Sequence, residues 1–144
     1  MISNICALNR TAIILLAFGS FSVSCQNAEQ LAFTQYRVQG ERLYQQHCSN
    51  CHQPKGKGLA RLYPPVAPSD YLRNNFEKII CGMKFGMEGE IIVNGVMYNQ
   101  RMPGVAALTD MEVAQIATYI YFLDSGNKKR ITTTEVSAIL GRCP

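Results

Sequence analysis

Cys48-Ser49-Asn50-Cys51-His52 sets two thiols three residues apart, with an imidazole directly after the second. On a helix end followed by a turn, thiols at that spacing can reach the two vinyl groups along one edge of a porphyrin. The next residue is then carried beneath the ring, where an imidazole nitrogen can bind iron. C-x-x-C-H is accordingly the pattern of covalent haem attachment. Cys48 and Cys51 are the expected attachment points, His52 the expected iron ligand and one haem c the expected cofactor. Two other uses compete. A thioredoxin-like pair wants a βαβ context, and none is legible over residues 40–60. A zinc site wants a second Cys or His pair at finger-like spacing, which Cys81 with Cys143 does not supply.

Four cysteines lie outside the motif: Cys6, Cys25, Cys81 and Cys143. Residues 1–24 hold one charged residue, Arg10, then an apolar stretch from Thr11 to Phe18 and small residues up to Ser24. That is the layout of a secretory signal peptide, and Cys6 would leave with it. The apolar run is shorter than the roughly 20 residues that span a bilayer. Val23-Ser24-Cys25 resembles the lipobox of bacterial lipoproteins, although Ser22 stands where a Leu-like residue is usual. The resemblance implies that Cys25 becomes a lipidated N-terminus tethering the domain to a membrane surface. A secreted chain with an incidental Cys is the competing reading. Disulfides persist outside the cytoplasm, so Cys81 and Cys143 are expected to pair, with two buried free thiols as the alternative.

The 144 residues suit one domain behind a short leader. Charged residues at 17% against 47% apolar ones leave enough material for a core and argue against disorder. The net charge of +4 is scattered. Loss of residues 1–24 removes Arg10 and no acid, leaving thirteen bases against ten acids. Two haem propionates would bring that near neutral. Lys128, Lys129 and Arg130 form the only basic run of three, so nucleic-acid binding has little support.

The elements that must carry the motif follow from pattern. Leu31 to His47 reads as a helix, with Val38, Leu43 and Tyr44 among its apolar positions. Gly40 inside it is unfavourable by about 1 kcal/mol against Ala, which points to a close helix crossing. Gln53 to Ser69 holds two Gly and four Pro and reads as a loop over the haem edge. Helical spacing returns over residues 69–81 through Tyr71, Leu72, Phe76, Ile79 and Ile80. Gly82 to Met87 reads as a flexible loop. Ile91-Ile92-Val93-Asn94-Gly95-Val96-Met97-Tyr98 is a hairpin, and Arg101-Met102-Pro103-Gly104 a turn. Thr109 to Glu112 is a capping box opening a helix to about Asp124. Thr132 to Glu135 opens a second, ending near Gly141.

That order, over roughly residues 35–125, resembles a class I monohaem cytochrome c. The resemblance implies an all-α cytochrome c fold: three to five helices around one covalently bound haem, with a small β-hairpin before the Met ligand loop. In that family an N-terminal helix with a Gly crosses the C-terminal helix, which Gly40 with Tyr44 and the Tyr119-Ile120 region match. The hairpin and the helix leading to Cys143 depart from the smallest members.

For the second axial position the candidates are Met83, Met87, Met97, Met102 and His47. His47 is tethered to the attachment side, and Met97 on a strand suits core packing. Met102, just before Pro103, falls where the family carries its thioether, with Met97 the runner-up. The family also implies a Pro carbonyl accepting from the ligand's Nδ1–H, here Pro65 ahead of Pro64. A soft thioether favours Fe(II) and, with His52, fills both axial positions. No place remains for dioxygen or substrate, so the expected role is electron transfer and not catalysis.

The domain expectation is a signal peptide at 1–24, an N-terminal tether at 25–34 and a cytochrome c domain at 35–144. The expected place is the periplasmic side of a bacterial envelope, lipid-anchored. The expected partners are a respiratory donor and a terminal oxidase or reductase, with no nucleic acid. Lys55, Lys57, Arg61, Lys84 and Arg101 could ring the haem edge and steer an acidic partner, or serve solubility alone. A haem sensor or enzyme with an open distal site, and a fixed haem subunit of a larger oxidoreductase, stand as alternatives.

Overall fold

The computed structural model describes residues 28–144, and the chain divides into two units, Met1–Ala32 and Phe33–Pro144. Of the first, residues 28–32 are described, and they are helical. The leader, Cys6 and Cys25 lie outside the described residues. In the second unit, helix α1 runs over residues 33–47. The stretch read as a tether is therefore helical over residues 28–34. Phe33 in particular is buried and meets Phe122 edge-on, ring centroids 6.0 Å apart.

The buried stripe of α1 passes through Phe33, Gly40, Leu43 and Tyr44, spaced for one helix face. Val38 lies off that stripe and is 48% exposed, against expectation. Gly40 makes the expected close crossing: a β-carbon there would overlap the Gln115 carbonyl and crowd the Tyr119 β-carbon. Beside it the Tyr44 and Tyr119 rings pack at 5.4 Å. Gln115 and Tyr119 belong to α5 (Asp110–Ser125), which is closed at its start by the Thr109–Glu112 capping box and buries Val113, Ala114 and the run from Ile116 to Ile120. The second capping box, Thr132–Glu135, opens α6 (Thr133–Leu140). The buried Thr118 hydroxyl donates to the Ala114 carbonyl at 2.8 Å and accepts from the Ile131 N–H at 3.0 Å.

Between these lie the haem-motif turn α2 (Ser49–His52), α3 (Asp70–Asn74) and α4 (Phe76–Phe85). The helix expected over 69–81 is thus two helices. Asn75 leaves helical geometry at φ −130°, ψ 45°, while the apolar spacing continues on both sides of it. α4 also runs past Cys81 and absorbs Gly82 and Met83, which had read as flexible loop. Cys81 and Cys143 are bonded, with Cα atoms 5.7 Å apart, tying α4 to the end of α6.

Two small antiparallel ribbons complete the unit. β2 (Ile91–Val93) and β3 (Val96–Tyr98) form the expected hairpin, with Asn94 and Gly95 both at positive φ, as a type I′ turn requires. β1 (Gly86–Met87) pairs with β4 (Met102–Pro103), setting Gly86 opposite Pro103 and Met87 opposite Met102. The Met-Pro segment is therefore extended and hydrogen-bonded to the chain leaving α4, not an isolated turn. Met97, expected as core packing, is 59% exposed because it faces outward on the hairpin.

Candidate functional site

The C-x-x-C-H residues are held by the end of α1. The Cys48 N–H donates to the Tyr44 carbonyl at 2.9 Å, and the Ser49 hydroxyl to the Gln45 carbonyl at 2.7 Å. The buried Tyr44 hydroxyl donates to the Gln53 carbonyl at 2.8 Å, just past the motif. Gln53 itself sits at φ 66°, the left-handed region, which ends α2 and frees the loop to fold back. Burial pushes the Tyr44 phenol well above its ordinary range, so it stays a donor.

The loop returns through a tight bridge between Leu59 and Tyr63. This brings the Pro64 carbonyl 2.9 Å from His52 Nδ1. A carbonyl only accepts, so Nδ1 carries the hydrogen and Nε2 keeps its lone pair. The partner is Pro64 and not Pro65. Desolvation lowers the His52 pKa and so favours the neutral imidazole a metal needs, although the Pro64 bond acts in the opposite direction. Burial, aided by the neighbouring Cys51 thiol, pushes Cys48 up to about 11.

These side chains line a cavity of about 840 Å³, counting the open space at its mouth, and an adjoining compartment of about 610 Å³. Cys48, His52, Pro64, Met83, Met87 and Met102 belong to the walls of both; Cys51 lines the first. The remaining wall is mostly apolar, aliphatic at Ile91 and Ile116 in both compartments and at Leu108 in the first, aromatic at Tyr63 and Tyr98. The Met102 segment is positioned by the β1–β4 pairing and by the Val105 N–H donating to the Met83 carbonyl at 2.9 Å.

Met102 thus meets the motif residues at one cavity, and Met97 does not. His47 also lines the first compartment, at an exposed position. The basic ring does not assemble. The Lys84 ammonium donates to the Leu108 carbonyl at 2.7 Å, and Arg101 pairs with Glu88 at 2.8 Å. Lys55 and Lys57 line a different cleft with Glu41 and Asp124. Only Arg101 of the five borders the slot.

The competing chemistries lose ground here. Among the described residues no group of three or more His, Cys, Asp or Glu could hold an ion, which removes the zinc reading. The sheets are two-stranded and antiparallel, so no βαβ unit surrounds the thiols. Two thiols, a neutral imidazole with Nε2 available and methionine thioethers, in a slot that is otherwise mostly apolar, fit a covalently held haem. Sequence reasoning passed over Met87 as part of a flexible loop, yet it faces Met102 across the ribbon; Gly82, helical but small, was the available signal.

Residues 37–120 match the family described as Cytochrome C oxidase, cbb3-type, subunit III. The matched stretch contains Cys48, Cys51, His52, Pro64, Met87 and Met102, and stops short of α6 and Cys143. Two curated relatives, each named cytochrome c-552, both come from Thermus thermophilus, the second from a named strain of it. Each is 33% identical over 88 residues, or 58% of this chain. The aligned region spans 66% of the first relative and 59% of the second, less than two thirds of either.

Proposed function

The chain belongs to the cytochrome c family that the cbb3-type subunit III model describes, with haem c as its covalently bound cofactor, and from that premise we propose that it is a one-electron carrier. Bound in the slot, the haem iron supplies a reversible one-electron couple. Cys48 and Cys51 hold the porphyrin by thioethers. His52 Nε2 would ligate the iron, with the ring oriented by the Nδ1–H bond to Pro64. Met102 would supply a second, thioether ligand, whose soft sulfur would favour Fe(II) and raise the potential. The mostly apolar wall would keep water from the iron, so that little solvent has to reorganise when its charge changes. The observation that carries this reading is the convergence of Met102, His52 and both motif thiols on one cavity.

The proposed setting is the periplasmic side of a bacterial envelope, with the chain exported and anchored to a membrane through a lipidated Cys25. No helix among the described residues is long and apolar enough to cross a membrane. A respiratory donor and a terminal oxidase or reductase are the proposed partners. The family's description as an oxidase subunit favours a second reading, a haem subunit fixed in a larger complex. Purification from the native membrane in mild detergent separates the two: a carrier elutes as a single small haem protein, a fixed subunit with other chains. The carrier reading itself is tested by potentiometric titration of the purified holoprotein. It predicts one haem titrating with a one-electron slope; turnover of a small-molecule substrate without a protein partner would overturn it.

A further inference from the structure

Met87 is placed as if for the same task as Met102. The two stand directly opposite one another in the β1–β4 ribbon. Directly opposed residues of an antiparallel pair project from the same face, with β-carbons about 4.5–5.5 Å apart. Both side chains line both compartments of the haem slot. Each is half-buried on a two-residue strand, so neither is locked into a helix or the core. Met83 also lines the slot, but it is 5% exposed and helical, and its carbonyl is taken by the Val105 N–H.

A second, independent observation concerns Gly82. Glycine inside a helix is unfavourable by about 1 kcal/mol relative to alanine. Here it is buried in α4, and a β-carbon at this position would overlap both Cγ and Sδ of Met87. The missing side chain is therefore the seat of the Met87 thioether. Methionine is flexible and its sulfur polarizable, so it can leave such a seat at small cost.

We propose that Met87 is a second thioether donor for the distal axial position, able to replace Met102 on the iron. The exchange breaks one sulfur–iron bond and makes another, with no proton or electron moved. It rests on the reading of Met102 as the resident ligand. Its consequence is a distal site that stays closed to small molecules when Met102 swings away, because the wall carries its own replacement.

The test uses the holoprotein, matured with haem attached, as Met102→Leu, Met87→Leu and the double variant. Leucine keeps volume and removes the sulfur. Two quantities are read: the far-red sulfur-to-iron charge-transfer band of the oxidised protein, and carbon monoxide binding to the reduced protein. Met102→Leu is expected to keep a shifted, weaker band, and the double variant to lose it. A replacement ligand that holds the iron nine-tenths of the time slows carbon monoxide about tenfold, so Met102→Leu should bind it at least that much more slowly than the double variant. Complete loss of the band in Met102→Leu, with binding as fast as in the double variant, overturns the proposal and leaves the Met102 reading standing. A band that persists in the double variant overturns it too, since the donor is then another residue. If Met102→Leu keeps the wild-type band and potential, the Met102 reading itself falls and takes the exchange with it. Should Met102→Leu fail to attach haem, wild-type protein labelled at its methionine methyls decides. Exchange cross-peaks between the Met102 and Met87 ε-methyls in the reduced protein are expected, and their absence across the stable temperature range overturns the proposal.

Discussion

His52 Nδ1 lies 2.9 Å from the carbonyl oxygen of Pro64, twelve residues further along the chain. The bond fixes the imidazole tautomer and ring orientation before any metal chemistry begins. It also makes the ligand more electron-donating, which favours Fe(III). Pro64→Ala keeps the carbonyl but loosens the φ that aims it. The expected result is retained haem and a reduction potential raised by up to about 40 mV, the equivalent of about 1 kcal/mol of hydrogen bonding. Potentiometry checks it; a potential that falls, or does not move, counts against the orienting role.

The Gly40 crossing allows a test with opposite expectations from propensity and packing. Helix propensity alone makes Gly40→Ala stabilising by about 1 kcal/mol. The backbone carbonyl of Gln115 occupies the space that the new methyl needs, and a backbone atom cannot step aside cheaply. Overpacking of this kind costs about 1–3 kcal/mol, so the variant should be less stable in urea. A gain in stability would mean that the two helices do not cross as closely as described.

Features written into a few adjacent residues were legible in the sequence. Cys48, Cys51 and His52 could be read because covalent attachment imposes their spacing. Asn94-Gly95 and both capping boxes were legible because their geometry is local. The break at Asn75 was not, since Tyr71, Leu72, Phe76, Ile79 and Ile80 keep helical spacing across it. Gly82 and Met83 read as loop because glycine propensity ignores Met87, whose seat Gly82 provides. The β1–β4 ribbon is two residues wide and leaves no periodicity to find. The choice between Pro64 and Pro65 depends on how the loop folds back onto His52 twelve residues earlier, which adjacent prolines do not reveal. The basic ring failed because, of Lys55, Lys57, Arg61, Lys84 and Arg101, Arg101 alone borders the slot, and which residues share that border is a tertiary matter.

The Cys81–Cys143 bond closes a sequence separation of 62 residues and lies away from the slot. In the chain-entropy view, a loop of that length is worth about 4 kcal/mol, and less where strain or residual structure intervenes. Cys143→Ser with Cys81→Ser should lose about 2–4 kcal/mol in urea denaturation while keeping the haem spectrum of the wild type. Unchanged stability would show that the bond does not tie α4 to α6.

Glu112 and Glu135 each accept the N–H of their own cap residue at 2.8 Å. That hydrogen bond is the leading cause lowering each carboxyl below the ordinary value of 4.5. A group depressed in the folded state stabilises fully above its unfolded value, and the contribution is lost as pH falls through the folded one. Glu112→Gln with Glu135→Gln should therefore melt lower than wild type at neutral pH, with the gap closing in acid. Melting temperatures followed from about pH 7 to about pH 3 measure this, and a constant gap across that range would contradict it.

Carbon monoxide tests most directly whether the iron is closed on both faces. The reduced wild-type holoprotein is mixed with the gas at neutral pH and its absorption followed. With His52 and a thioether from the Met87–Met102 ribbon on the iron, no ferrous carbonyl spectrum should develop on the timescale of mixing, and the reduced protein should still pass its electron to an external oxidant. Rapid and complete formation of the carbonyl adduct would contradict the account and make the protein one whose iron is open to ligands.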